Sequence, residues 1–194
     1  MTAPATSSGR PKRPTSLGIQ VWAAAFTRAG YDGVGVREIA RDAGVTAMLV
    51  NRYFGSKEQL FAEAVDAAFA PRTVIGNDAA TLSRQVADTL AARTTSYADN
   101  PDPFLLTLRS VGNPRAAEIV RAGIEAHVGR HLTELLSGPN AQERAELLLA
   151  LIAGFWLMHK VIATTALSRT QPTTLASQLS ELIDVIVVPT TSME

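Results

Sequence analysis

The chain has 194 residues, 46% of them hydrophobic and 19% charged, with a formal net charge of zero and no cysteine. That apolar content excludes a disordered chain and is enough to bury a core without staples. The missing thiols exclude a disulfide framework, a thiolate nucleophile and a cysteine metal site. The neutral total hides an asymmetry. Residues 1–60 carry eight basic and four acidic side chains, and residues 61–194 carry ten basic and fourteen acidic ones. A basic first third on an acidic remainder suits a small module that meets a polyanion and a larger one that does not.

Residues 1–14, MTAPATSSGRPKRP, have nothing to bury and read as a flexible basic arm. Residues 1–16 contain no apolar stretch of the kind a secretory signal needs, so the expected location is the cytoplasm. Helical periodicity begins at Thr15 or Ser16, with Ile19, Trp22, Ala23 and Phe26 on one face. Gly30 stops that helix. A second helix is expected over residues 36–43, with Ile39 and Ala40 inward and Gly44 closing it. Val45 is the buried residue of the turn. Thr46 starts a third helix that runs to Tyr53 or Phe54, with Val50 and Phe54 inside. Gly55 breaks it, and Ser56 caps a fourth helix with Gln59 at the capping-box position.

Further helices are expected over residues 78–98, 104–110, 114–136, 141–167 and 172–188. The longest apolar run, Leu147 to Met158, is twelve residues long, too short to span a bilayer as a helix. No segment alternates like a strand. The reading is all-α with roughly nine helices. It comprises an N-terminal three-helix helix-turn-helix domain over residues 15–62 and a larger C-terminal helical bundle over residues 63–194.

The informative stretch is VREIARDAGVTAMLVNRYFGSK, residues 36–57. Two short helices meet at a glycine-centred turn, with Ile39, Ala40, Val45, Val50 and Phe54 inside. That is the helix-turn-helix arrangement. The first helix braces the second, whose N-terminal end enters the major groove.

Over about residues 15–62 the sequence resembles the DNA-binding domain of the TetR family of transcriptional regulators. The resemblance rests on Phe26, Gly30 and Tyr31, then Val36-Arg37 with Ile39-Ala40, then Ala43-Gly44-Val45-Thr46, then Tyr53-Phe54-Gly55-Ser56-Lys57-Glu58-Gln59-Leu60. It implies a regulator, read as a repressor, that binds a near-palindromic operator as a homodimer and responds to a small molecule. By position, Thr46 caps the recognition helix and meets phosphate. Ala47 and Met48 sit where methyl groups can pack on thymine. Asn51 and Arg52 suit adenine and guanine edges. Arg37, Tyr53 and Lys57 join the DNA-binding set, and Arg10, Lys12 and Arg13 suit the backbone or a minor groove. The chain departs from the family pattern at Asn51, where an aromatic residue is common, and at Gly35, where Ser or Thr is.

The helix through residues 147–158 is apolar all round, so half of it must face another subunit. Leu149, Ala150 and Ala153, with Leu175, Leu179, Leu182, Ile183 and Ile186 of the last helix, form the expected dimer interface. Phe69, Phe104, Leu108, Phe155, Trp156 and His159 are the candidates for a mainly apolar effector pocket. No metal or cofactor is expected. One alternative is a DNA-binding protein without an effector. Another is an all-α metal-dependent enzyme built on His127 and His131, but two ligands one helical turn apart do not make a site. No G-x-S-x-G, P-loop, G-x-G-x-x-G or H-E-x-x-H sequence supports it.

Overall fold

The computed structural model describes residues 16–70, 75, 76, 78–92 and 101–188, and all its regular elements are helical. The basic arm, with Arg10, Lys12 and Arg13, lies outside these residues. The elements in chain order are α1 (Ser16–Gly33), α2 (Val36–Asp42), α3 (Ala47–Phe54), α4 (Lys57–Phe69), α5 (Leu82–Ala92), α6 (Pro103–Ser110), α7 (Pro114–Ile124), α8 (Arg130–Leu135), α9 (Ala141–Trp156), α10 (Thr165–Arg169) and α11 (Pro172–Val187). A π turn at Glu125–Gly129 joins α7 to α8 in one rod, so the eleven segments make ten helices. The fold is the all-α arrangement that the periodicity implies.

Local chemistry sets the boundaries. Thr46 caps α3 by accepting a hydrogen bond from the Leu49 amide, and Ser56 caps α4 by accepting one from Gln59. Asp102 and Asn113 cap α6 and α7 in the same way, each ahead of a first-turn proline. Gly44 takes a left-handed φ of 67°, which closes α2 and turns the chain into α3. The helix expected over residues 141–167 is interrupted. It widens into a π turn at Leu157–Val161, and Ala163 then takes a left-handed φ of 54°, so α10 is a separate short helix. The helix expected from residue 78 begins with a 3₁₀ turn at Ala79–Thr81 and is described only as far as Ala92.

Two hydrophobic cores result. The first holds Trp22, Phe26, Tyr31, Ile39, Val50 and Phe54 of the three N-terminal helices, together with Leu60, Phe61 and Val65 of α4. It does not stop there: Leu106 of α6 and Ala116 and Val120 of α7 complete it. Aromatic edges lock its centre, with Phe26 and Phe61 at 4.9 Å and Trp22 and Phe54 at 5.0 Å between ring centroids. The second core packs Leu82, Val86 and Leu90 of α5 against Leu132 of α8, Leu148, Ile152 and Phe155 of α9, and Leu175, Leu179 and Ile183 of α11. Arg144 ties the far end of this core by donating to the carbonyls of Val187, Pro139 and Ser137.

Candidate nucleic-acid interface and ligand cavity

The helix-turn-helix presents one exposed face. Val50 and Phe54 anchor α3 in the first core, which leaves Met48, Asn51 and Arg52 outward at i, i+3 and i+4. Met48 is 81% exposed, the highest value among the exposed large hydrophobic residues. Thr46 and Arg37 are also exposed. Ala47 and Tyr53 are half-buried and pack on the first core, so they offer less to a partner than the sequence suggests. Lys57 is half-buried, with its ammonium 4.6 Å from the centroid of the Tyr31 ring. Burial, then the carboxylates of Glu58 and Asp32, push the Tyr31 phenol above its ordinary pKa, so it stays neutral.

A cavity of about 390 Å³ lies between the two cores. Its apolar wall includes Phe69, Ile75, Phe104, Ile124, Ile152 and Trp156, and its polar wall includes His127, Arg130, His131 and Glu134. Phe104 and Trp156 face each other at 5.5 Å between centroids. Of the six residues expected in a pocket, Phe69, Phe104 and Trp156 line it. Leu108 is 37% exposed, and Phe155 sits in the second core stacked on His159 at 5.1 Å. Thr107, which the sequence reading missed, also lines the cavity. Its hydroxyl oxygen is buried and has no hydrogen-bond partner among the described residues. The available signal was its spacing of i+3 from Phe104 on α6.

The same short helix that forms one cavity wall grips the N-terminal head, the helices α1 to α3. Arg109 donates to the carbonyls of Thr27 at 2.6 Å and Arg28 at 3.0 Å. Ser110 accepts from the Tyr31 amide at 3.0 Å. Asn113 donates to Asp32 at 3.0 Å. At the other end of α6, Asp102 receives the ammonium of Lys160 and hydrogen-bonds Thr27 through its own amide. On the head side, Arg28 reaches Asp42 of α2 at 3.3 Å.

The expected dimer residues divide. Leu175, Leu179 and Ile183 turn inward against α5 and are 5%, 6% and 0% exposed, so they belong to the subunit's own core. Leu149 and Ala153 line the cavity. Ala150 and Leu182 are exposed, and Ile186 is half-buried. Leu147, Met158, Val161, Ile162, Val185 and Val188 are large apolar residues left exposed as well.

The two histidines one turn apart have separate partners. His127 meets Asp66 of α4 at 3.1 Å, and His131 meets the Gly76 carbonyl at 3.0 Å. Among the described residues no group of three His, Cys, Asp or Glu side chains is placed to hold a metal. No helix there is long and apolar enough to cross a membrane.

A helix-turn-helix with an exposed recognition face, fused to a helical domain that lines a cavity, defines the class of DNA-binding transcription regulators. Residues 23–64 match the family model of the bacterial regulatory proteins of the tetR family, and residues 80–187 match that of the tetracyclin repressor-like C-terminal domain. The chain belongs to the TetR family of transcription regulators, whose members are DNA-binding regulators and not enzymes. A comparison with curated proteins finds no match. Among solved structures, a transcriptional regulator from Rhodococcus sp. Rha1 is 27% identical with a TM-score of 0.56, over 91% of this chain and 100% of that one. Two more distant structures share the fold. AibR, in complex with isovaleryl coenzyme A and operator DNA, is 15% identical with a TM-score of 0.53, over 86% of this chain and 96% of that one. The multidrug binding protein EbrR, complexed with proflavin, is 20% identical with a TM-score of 0.57, over 86% and 97%.

Proposed function

We propose that this regulator is a cytoplasmic, ligand-responsive repressor that binds a near-palindromic operator as a homodimer and is released by a small, mainly apolar molecule. The observation that carries this reading is the double duty of α6. Phe104 and Thr107 line the cavity, while Arg109 and Ser110, within the next turn, hold the end of α1. A ligand that presses on Phe104 or Thr107 displaces a helix whose other contacts fix the head. The Arg28–Asp42 pair and the common core then pass that displacement to α2 and α3. The ligand lowers operator affinity only to the extent that it binds the displaced arrangement better.

Dimerisation supplies the second recognition helix. The exposed apolar residues of α9 and α11 are the surface that supports it, with Ala150 and Gly154 small enough for close helix approach. Two recognition helices about 34 Å apart would read successive major grooves on one side of the duplex. AibR with a coenzyme A thioester and EbrR with a flat dye support a ligand role for this fold, and the operator in AibR supports the DNA role. In this chain the wall formed by Phe69, Phe104, Ile124, Ile152 and Trp156 favours an apolar or aromatic body.

The test is fluorescence anisotropy on DNA from upstream of the gene, against random competitor at several salt concentrations, followed by a ligand screen on the fragment that binds. Saturable, competitor-resistant binding that a compound reverses is the expected result. Binding no tighter than to random DNA, both there and after selection from a random pool, sinks the regulator reading.

A further inference from the structure

Two bridges join α6 to the end of α9. One is the aromatic pair Phe104 and Trp156, 5.5 Å between ring centroids, which walls the cavity. The other is the ion pair of Asp102 with Lys160, two residues before Phe104 and four after Trp156. Neither Asp102 nor Lys160 lines the cavity. Their side chains are 22% and 24% exposed, whereas the arginines of the Arg28–Asp42 and Arg115–Glu58 pairs are 58% exposed. Parting a pair this shielded leaves two partly buried charges without a partner, which is costly.

Asp102 is also a junction. Its Oδ1 caps α6 by accepting from the Phe104 and Leu105 amides at 3.0 and 3.1 Å. Its Oδ2 accepts from Lys160, and its own amide donates to the Thr27 hydroxyl of α1 at 3.3 Å. Lys160 comes from the π turn Leu157–Val161, where the Ile162 amide donates to the Leu157 carbonyl at 2.9 Å. Such widened turns gather at functional sites.

We propose that the Asp102–Lys160 pair is a latch, with Lys160 as its positioning residue, that clamps α6 to the end of α9 and sets how much ligand is needed to release the operator. A body entering between Phe104 and Trp156 separates the two elements, and the neighbouring ion pair lengthens with them. The cost of parting the charges keeps the open arrangement a minor population, and the apparent affinity of a ligand is lowered by the fraction that is open. Because Asp102 also holds Thr27, the motion reaches α1.

This inference rests on the reading of a ligand-released operator, and the experiment separates the two. The probe is N-phenyl-1-naphthylamine, an uncharged aromatic dye that brightens in apolar surroundings, titrated into the full-length protein. Lys160→Met removes the cation and keeps an unbranched stem. Asp102→Asn removes the anion and keeps the cap, since asparagine caps about as well as aspartate. Each is expected to bind the dye about fivefold tighter than wild type, the low end of ordinary coupling between sites. The double variant should gain no more than either single one, because both remove the same pair. Lys160→Arg keeps the cation and should match wild type. On the operator selected from a random pool, the dye concentration that halves binding should fall by the same factor in Lys160→Met. Single variants with wild-type dye affinity overturn the latch and leave the regulator reading standing. So do gains that add in the double variant, operator release that Lys160→Met does not ease, and dye binding by none of the proteins. A pool that yields no preferred sequence sinks the regulator reading, and the latch with it.

Discussion

A Cβ atom on Gly30 would lie 2.2 Å from the carbonyl oxygen of Arg109. Gly30 also has a φ of 72°, a left-handed value that kinks the end of α1 over α6. Both constraints act at the contact between the head and the helix that lines the cavity. The close fit leaves no slack, so a movement of α6 must move α1. Gly30→Ala is expected to cost about 2–4 kcal/mol, because overpacking and a strained φ add. Urea unfolding checks this. A loss below half a kcal/mol would mean that the contact is loose and that α6 can shift without the head.

Thr107 tests the cavity from the other side. Its buried hydroxyl lacks a partner among the described residues, and such a group costs about 1–3 kcal/mol unless a ligand or water meets it. Valine has the same shape without the hydroxyl. Thr107→Val is expected to raise the stability of the ligand-free protein by about 1 kcal/mol while weakening compounds that hydrogen-bond in the cavity. Denaturant midpoints and a binding titration on the two proteins measure each half. A less stable valine variant would show that the hydroxyl is already satisfied.

The parts of the fold visible in the sequence are the local ones. Phe26, Ile39, Val50 and Phe54 are all buried, because a helix-turn-helix packs neighbours in sequence and its spacing carries the packing. Thr46 and Ser56 cap where their side chains imply, since a cap depends on the next three residues alone. The cavity was only half legible. Its walls come from α4, α6, α7, α8 and α9, and apolar spacing on α9 gives several stripes without saying which partner each meets. Hence Leu149 and Ala153 line the cavity, and Phe155 is in the second core. The end of α9 was illegible because Ala163 carries no breaking signal, yet takes the left-handed conformation that ends the π turn.

Tyr31 gives the head a pH signature. Burial and the carboxylates of Glu58 and Asp32 raise its pKa above the ordinary value of 10.0, so the folded state holds the phenolic proton more tightly than the unfolded chain does. Stability from this source is fully present below pH 10 and falls as pH rises beyond it, since unfolding then releases a proton. The sign is opposite to that of a paired carboxylate. Tyr31→Phe should be flatter between about pH 9 and pH 11 than wild type, read as urea midpoints. Parallel curves for the two proteins would remove Tyr31 as the cause.

Arg52 is exposed and lies on the same face of α3 as Asn51. Its removal should leave folding unchanged and weaken operator binding by about 1–3 kcal/mol, with relaxed preference at one base pair. A phosphate contact would behave differently, weakening all sequences equally and lowering the salt slope by about one. Arg52→Ala titrated against the operator and against variants at each position separates these. Uniform loss on every sequence would reassign Arg52 from base readout to backbone anchoring.

Leu182 and Ile183 are neighbours on α11 with opposite surroundings: Leu182 is 56% exposed, whereas Ile183 is 0% exposed against α5. If the exposed apolar residues of α9 and α11 form the dimer face, charge at the two positions must have different consequences. Leu182→Asp is expected to keep the helical circular dichroism and melting cooperativity of a folded subunit while shifting the mass in light scattering from dimer to monomer. Operator affinity should fall with it, because a single head makes half the contacts. Ile183→Asp buries an unpaired carboxylate and should cost more than 4 kcal/mol, enough to unfold a subunit of ordinary stability. A Leu182→Asp protein that stays dimeric would move the interface elsewhere on the subunit, because an aspartate cannot be tolerated at the centre of a dry helix–helix contact.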